Sequence, residues 1–172
     1  MRKYLILGGI IVLTGIVVNF TLGGFEPIEP VLVSARETQL YGWPYEGYHA
    51  SDSLDRQVGR LREILAASNR PGTLTIVNYL QPDLEKRGVV KQFVGIAWDT
   101  APEQNPFGLD TLTLPAYNGF QFNITLKPLV MPSPEKLKRM AREAAKTMEG
   151  QLQGISIEQY KNQTLVVNFP LK

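Results

Sequence analysis

Apolar residues recur at helical spacing in two segments of the chain. The first segment follows Ser51, whose hydroxyl can cap a helix start. The second follows Ser133, Pro134 and Glu135, which combine a cap, a first-turn proline and an early acid. We therefore expect two amphipathic helices, the second with Gly150 as its C-terminal glycine. Their apolar stripes are Leu54, Val58, Leu61, Ile64 and Leu65, and Leu137, Met140, Ala141, Ala144 and Met148.

Alternating and β-branched stretches surround each helix and predict strands. One strand and its ending turn precede the first helix, and two strands joined by the turn "PDLEKRG" follow it. In the second half, "LDTLTLPAYNGFQFNITL" predicts a strand, a turn and an extended segment before the helix. The remaining predicted strands are residues 31–43, 74–80, 89–98, 155–160 and 164–171.

The two halves resemble each other in the order and spacing of these features. "YEGY" and "YNGF" both precede a helix, and we predict a Tyr-x-Gly-aromatic turn at each, with a positive φ at the glycine. Four pairs carry the comparison: Gly47 and Gly119, and Val94 and Val166, both 72 residues apart; Ser51 and Ser133, 82 apart; and Tyr79 and Tyr160, 81 apart.

This repetition predicts the fold class. We expect an α+β domain made of two strand–helix–strand–strand units, with an antiparallel sheet and two main helices. One unit alone exposes a sheet face, whereas two units paired edge to edge share a core and leave a groove along their pseudo-twofold seam. The alternative is an unrelated α+β sandwich in which the similarity of the halves arises by chance.

The N-terminus has a different character. Residues 4–25 contain no charged side chain and are long enough to span a bilayer as a helix. We predict a transmembrane signal anchor over 1–25, a stiff linker "EPIEP" over 26–30 and a soluble domain over 31–172. Arg2 and Lys3 precede the span, which places the soluble domain on the non-cytoplasmic side. A signal peptide cleaved near Gly23 is the alternative.

The composition excludes several classes of function. The chain of 172 residues has no cysteine and one histidine, His49, so it offers no disulfide, thiol nucleophile or multi-histidine metal site. Its net charge of +2 is poor for nucleic-acid binding, which needs a basic field. We predict no metal, no cofactor and no nucleic-acid partner.

The repeat and the ending "IEQY…TLVVNFPL" resemble the GyrI-like, or effector-binding, domain superfamily. The most specific match is Glu158 and Tyr160 followed by Phe169-Pro170-Leu171. That superfamily includes ligand-binding domains of AraC- and MerR-type multidrug regulators and is similar in fold to SOUL haem-binding proteins. The resemblance covers residues 31–172 and implies a groove for small hydrophobic or cationic molecules, with an acid among aromatic rings. The membrane span stands where the regulators have their DNA-binding segment, so this chain resembles a membrane-anchored member.

The candidate ligand residues follow from this resemblance and from strand alternation. In an extended "ISIEQY", Ser156, Glu158 and Tyr160 share one face, so a carboxylate lies beside an aromatic ring. The other candidates near the seam are Trp43, Tyr45, Tyr48, Tyr79, Trp98, Tyr117 and Phe120. The plainer alternatives are an exposed Glu158 on an edge strand and aromatic rings that only pack the core.

Three functions are compatible with these residues. The first is a membrane-anchored small-molecule-binding or sensing domain. The second is a hydrolase of a small electrophile, with Glu158 as general base and Tyr160 or Tyr79 as proton donor. The third is a tethered protein-interaction domain whose partner the sequence does not identify.

Overall fold

The protein has an α+β fold with an antiparallel eight-stranded sheet. The computed structural model describes residues 28–102, 107–126, 131–161 and 163–172. The predicted span over residues 1–25 lies outside them. Within the described part of the chain, no helix is long and apolar enough to cross a membrane. The elements are β1 (Val31–Ala35), β2 (Thr38–Tyr48), α1 (Asp52–Ala67), β3 (Gly72–Tyr79), α2 (Pro82–Lys86), β4 (Val89–Trp98), β5 (Asp110–Leu114), β6 (Tyr117–Thr125), α3 (Pro134–Thr147), β7 (Ile155–Lys161) and β8 (Thr164–Pro170).

Both predicted helices begin where their caps indicate. The Ser51 hydroxyl accepts a hydrogen bond from the Ser53 amide at the start of α1. The Ser133 hydroxyl accepts one from the Lys136 amide at the start of α3. The end of α3 differs from the prediction, because Glu149, and not Gly150, takes the positive φ, at 55°.

Two local elements differ from the predicted unit. The single strand predicted over residues 31–43 is β1 and the first part of β2, with Arg36 and Glu37 between them. The "PDLEKRG" turn contains the short helix α2, which starts at Pro82. Each half therefore contains strand–strand–helix–strand–strand, one strand more than predicted.

The strand order requires the sheet to curl. The order is β1-β6-β8-β7-β3-β4-β2-β5, so β1 and β2 are six strand spacings apart. A flat sheet would separate them by about 29 Å at ~4.8 Å per spacing. Only Arg36 and Glu37 join them, a link that reaches about 11 Å at ~3.8 Å per residue step. β5 and β6 are also six strand spacings apart in this order, and the link between them is equally short, since only Pro115 and Ala116 join them.

The first strand of each half pairs with the other half. β1 pairs with β6, and β5 pairs with β2. Gly42 faces Asp110 of β5, and Gly119 faces Val33 of β1. These two glycines are 77 residues apart, and so are Val33 and Asp110. The equivalent glycines are therefore Gly42 and Gly119.

The predicted equivalence of Gly47 and Gly119 was wrong, and so were the turns assigned to them. "YEGY" is the end of β2 and "YNGF" is the start of β6, so both are strand segments. Neither glycine has a positive φ. Gly119 is required for close approach, because a Cβ there would lie 2.6 Å from the Phe169 carbonyl oxygen.

The sheet has two distinct faces. The helix face carries two cores, one under α1 and one under α3. The inner face, enclosed by the curl, carries a third core that includes Leu40, Val77, Phe93, Leu114 and Ile157. Strand alternation assigns each residue to one of these faces. The two halves also meet at the β3–β7 pair, with a helix on either side of it.

Candidate ligand groove at the seam between the halves

The groove floor is the helix face of the β3–β7 pair. Leu74 lies opposite Tyr160, Ile76 opposite Glu158, and Asn78 opposite Ser156. Ile76, Asn78, Glu158 and Tyr160 are all half-buried, whereas the cores under the helices are closed. The seam is therefore a strip of partly accessible side chains between α1 and α3.

Glu158 is the acceptor at the centre of a hydrogen-bond network on this floor. The Asn78 amide donates to Oε1 of Glu158 at 2.8 Å, and the Tyr160 hydroxyl donates to Oε2 at 3.0 Å. The Gln92 amide donates in turn to Oδ1 of Asn78 at 2.6 Å, and Nδ2 of Asn78 also reaches the Ser156 hydroxyl at 3.2 Å. The donors point toward the carboxylate, which fixes its position.

The electrostatics of the network keep Tyr160 protonated. Burial raises the pKa of the Tyr160 phenol, and the neighbouring Glu158 charge and hydrogen bond raise this pKa further. Arg62 on α1 acts in the opposite direction. The phenol therefore remains a hydrogen-bond donor to Glu158 at neutral pH.

A cavity of about 520 Å³ lies farther along the same strand pair, and Ile76, Asn78, Glu158 and Tyr160 do not line it. The β3–β7 ladder continues there, since the Leu80 amide donates to the Gly154 carbonyl at 2.8 Å, and both residues line the cavity. The cavity wall on α3 carries Lys138, Arg142 and Lys146. Glu158 is four residue steps from Gly154, about 13 Å along a strand. The cavity, which Glu149 also lines, is therefore separate from the carboxylate but lies along the same strand pair.

Four of the predicted aromatic residues lie under the helices and not in the groove. Trp43, Tyr45 and Trp98 belong to the core covered by α1. Phe120 belongs to the core under α3, where Tyr160 packs at its edge. Arg60 lies over the Trp43 ring at 5.2 Å from its centroid. Of the predicted set, Tyr160 is the residue that contacts Glu158.

Three other predicted residues lie elsewhere. Tyr79 and Tyr117 pack against the core of the inner face, and Tyr48 is 68% exposed at the end of β2. The proposed equivalence of Tyr79 and Tyr160 was wrong, because they lie on opposite faces of the sheet. Tyr79 pairs with Ile155, which is an odd number of residues from Tyr160, so alternation along β7 places the two rings on opposite faces. Tyr79 is therefore not placed to act with Glu158.

The sequence analysis did not identify Asn78 and Gln92 as partners of Glu158. Both are polar residues on strand faces that are otherwise apolar. Leu74 and Ile76 precede Asn78 on the same face of β3, and Val94 follows Gln92 on the same face of β4. A buried polar side chain needs a hydrogen-bond partner. A polar residue among apolar ones on the same strand face was therefore the sequence feature that could have identified Asn78 and Gln92.

The fold occurs in other solved structures, although no protein-family model matches the chain and no curated protein matches its sequence. SAV2435 bound to tetraphenylphosphonium is similar with a TM-score of 0.50 and 11% identity, over 84% of this chain and 94% of that one. The EcmrR C-terminal domain gives 0.53 and 12%, over 84% and 98%. A hydrolase encoded by lin2189 from Listeria innocua gives 0.58 and 9%, over 90% and 98%. At these identities the similarities show the fold alone.

Proposed function

We propose that this protein is a membrane-anchored receptor for a small lipophilic cation, which binds in the seam groove on Glu158. One observation carries the proposal. The Glu158 carboxylate has two neutral donors, Asn78 and Tyr160, and within the described residues no basic side chain forms an ion pair with it. Its negative charge is therefore oriented but not neutralised, which suits a cationic partner.

The surroundings of the carboxylate favour one class of cation. Arg62 on α1 acts electrostatically on Tyr160, and Arg142 and Lys146 line a cavity farther along the same strand pair. A second positive charge on the ligand would meet these side chains at unfavourable distances. We therefore expect a monocation whose apolar body extends along the groove toward Leu80.

The membrane anchor is the second part of the proposal. It is supported by the 22 uncharged residues from 4 to 25 and by the two basic residues before them. A span there would hold the groove next to a bilayer, into which lipophilic cations partition. In carbonate-extracted membranes we expect the full chain to remain in the pellet and a Leu13→Arg/Val17→Arg variant to be released. Release of both would contradict the anchor.

The ligand test uses the full-length chain in mild detergent and tetraphenylphosphonium as the probe. We expect saturable binding by calorimetry, weakened at least ~10-fold in Glu158→Gln, a loss of about 1.4 kcal/mol. Glu46→Gln is the matched control, because the Glu46 side chain is an exposed carboxylate on β2, at 57%. Equal affinities of the Glu158→Gln variant and the unchanged protein would refute the site.

A second candidate function is supported by the contact between Tyr160 and Glu158. A carboxylate that activates water and a protonated phenol 3.0 Å away could divide the roles of general base and general acid in hydrolysis. The similarity in fold to a hydrolase is compatible with this reading. Turnover of an ester and epoxide panel that disappears in both Glu158→Gln and Tyr160→Phe would favour the enzyme. No turnover together with cation binding would favour the receptor.

A further inference from the structure

The cavity of about 520 Å³ lies beside α3, where β3 ends and β7 begins. This volume is within the range of pockets that hold small organic molecules. Its apolar floor consists of Leu80, Ala145 and Leu152, which belong to the core under α3 or pack against it. Leu80 and Leu152 are only partly buried, so an edge of this core is open to the cavity. The floor can therefore cover the apolar part of a ligand.

Three basic side chains of α3 line the cavity. Lys138, Arg142 and Lys146 recur every four residues, which places them on one side of the helix. Lys138 is already neutralised, because its Nζ lies 2.6 Å from Oε1 of Glu85 on α2 and its side chain is only 15% exposed. Arg142 and Lys146 are exposed, and neither forms an ion pair with any residue in the described part of the chain. Two unpaired cations, one helical turn apart, thus line the same cavity.

Glu149 limits the charge that the cavity can accommodate. It also lines the cavity, is exposed and has no ion-pair partner among the described residues. The two positive charges of Arg142 and Lys146 and the one negative charge of Glu149 leave a net charge of +1. This balance matches a single negative charge, such as that of a phosphodiester, better than the two charges of a phosphomonoester.

The position of Ile28 indicates a source of such groups. Ile28 packs against the core under α3, which also provides the cavity floor. The predicted membrane span ends at residue 25, three residue steps before Ile28, or at most about 11 Å of chain. A span there would keep α3 close to the lipid headgroups of one leaflet.

We propose that this cavity binds the headgroup of an anionic phospholipid. The phosphodiester lies between the Arg142 guanidinium, which can hold two phosphate oxygens, and the Lys146 ammonium. The adjoining apolar part of the lipid contacts Leu80 and Leu152. Only the choice of a lipid as the source rests on the membrane anchor of the proposed function, whereas the charge match is independent of the anchor and of Glu158.

The experiment measures lipid retention on the full-length chain in mild non-ionic detergent, by native mass spectrometry. The probe is phosphatidylglycerol, and the control is phosphatidylcholine with the same acyl chains, which carries no net charge. Contacts of the acyl chains with the predicted span are common to both lipids. We expect phosphatidylglycerol to be retained at least ~5-fold more strongly. Equal retention of the two lipids would overturn the proposal. Binding of free glycerol phosphate as tight as that of the lipid would also overturn it, because the apolar floor would then contribute nothing.

Substitutions on α3 test the position of the headgroup. Arg142→Gln and Lys146→Gln should each reduce the preference for phosphatidylglycerol several-fold. Arg139→Gln is the matched control, because Arg139 is an exposed arginine on the same helix that does not line the cavity. An equal loss in Arg139→Gln would indicate a diffuse effect of charge and refute the cavity site. Glu149→Gln should tighten phosphatidylglycerol binding, and weaker binding in this variant would contradict the match to a single negative charge.

Glu158→Gln separates this proposal from the cation receptor. The variant should lose tetraphenylphosphonium affinity and keep the unchanged protein's preference for phosphatidylglycerol. A lipid preference that disappears in Glu158→Gln would refute a separate site. Cation binding, membrane extraction and lipid retention are three independent measurements, so the failure of one proposal is distinguishable from the failure of the others.

Discussion

Gly42 lies in the middle of β2, where the backbone of β4 approaches it most closely. A Cβ at this position would overlap the Val94 carbonyl oxygen and lie 2.7 Å from the Val94 carbonyl carbon. These obstacles belong to the backbone of a central strand, so no side-chain rotation relieves them. Gly42→Ala must therefore push β2 away from β4.

The size of the effect follows from what β2 would lose. Overpacking of this kind costs about 1–3 kcal/mol, and each lost ladder hydrogen bond adds about 1 kcal/mol. We expect Gly42→Ala to lower the free energy of unfolding by about 3–5 kcal/mol. Gly119→Ala should cost less, about 2–3 kcal/mol, because its nearest backbone atoms are at 2.6 and 3.0 Å.

Gly59 provides the matched control for these two substitutions. It lies in α1, where an added Cβ meets nothing within 4 Å. Gly59→Ala should therefore stabilise the protein by about 0.5–1 kcal/mol through helix propensity. Urea unfolding of the full-length chain, followed by circular dichroism, measures all three variants. A Gly42→Ala protein within ~1 kcal/mol of the unchanged chain would show that the close approach of β2 and β4 does not constrain the fold.

Two further predictions concern stability. Burial raises the pKa of Tyr117 from 10.0 to about 12, so its contribution to stability is complete below pH 10 and is lost as the pH rises toward 12. Because the ring is only partly buried, we expect Tyr117→Phe to remove about 1 kcal/mol of the alkaline destabilisation between pH 9 and 11.5, measured by urea unfolding; parallel pH profiles of the two proteins would contradict this. Ser133→Ala removes the cap of α3 and should cost about 1 kcal/mol, whereas an unchanged urea midpoint would show that the cap bond to Lys136 contributes nothing.

The helices and strands could be predicted because they depend on interactions between residues close in sequence. The caps Ser51 and Ser133 marked both helix starts, and alternation placed the strand at 89–98 with its observed bounds. These features depend on neighbours within a few residues, which a single sequence displays. The α+β class with an antiparallel sheet is confirmed for the same reason.

The contacts of Glu158 at the seam could not be predicted in this way, because they depend on residues far apart in the sequence. Alternation along a strand shows which of its residues share a face, but not which side of the sheet that face is. Only the side decides whether Tyr79 or Tyr160 lies next to Glu158. The pairing of β3 with β7 brings Asn78 to Glu158 across 80 residues of chain. Such a pairing is fixed by the packing of both halves together, so the composition of one strand does not reveal it.

The reciprocal pairing of β1 with β6 and β5 with β2 has a consequence for how the molecule can be divided. A cut between residues 102 and 107 would leave two chains that each lack an edge strand and each carry one belonging to the other. Two such fragments could satisfy their backbones only by interlocking.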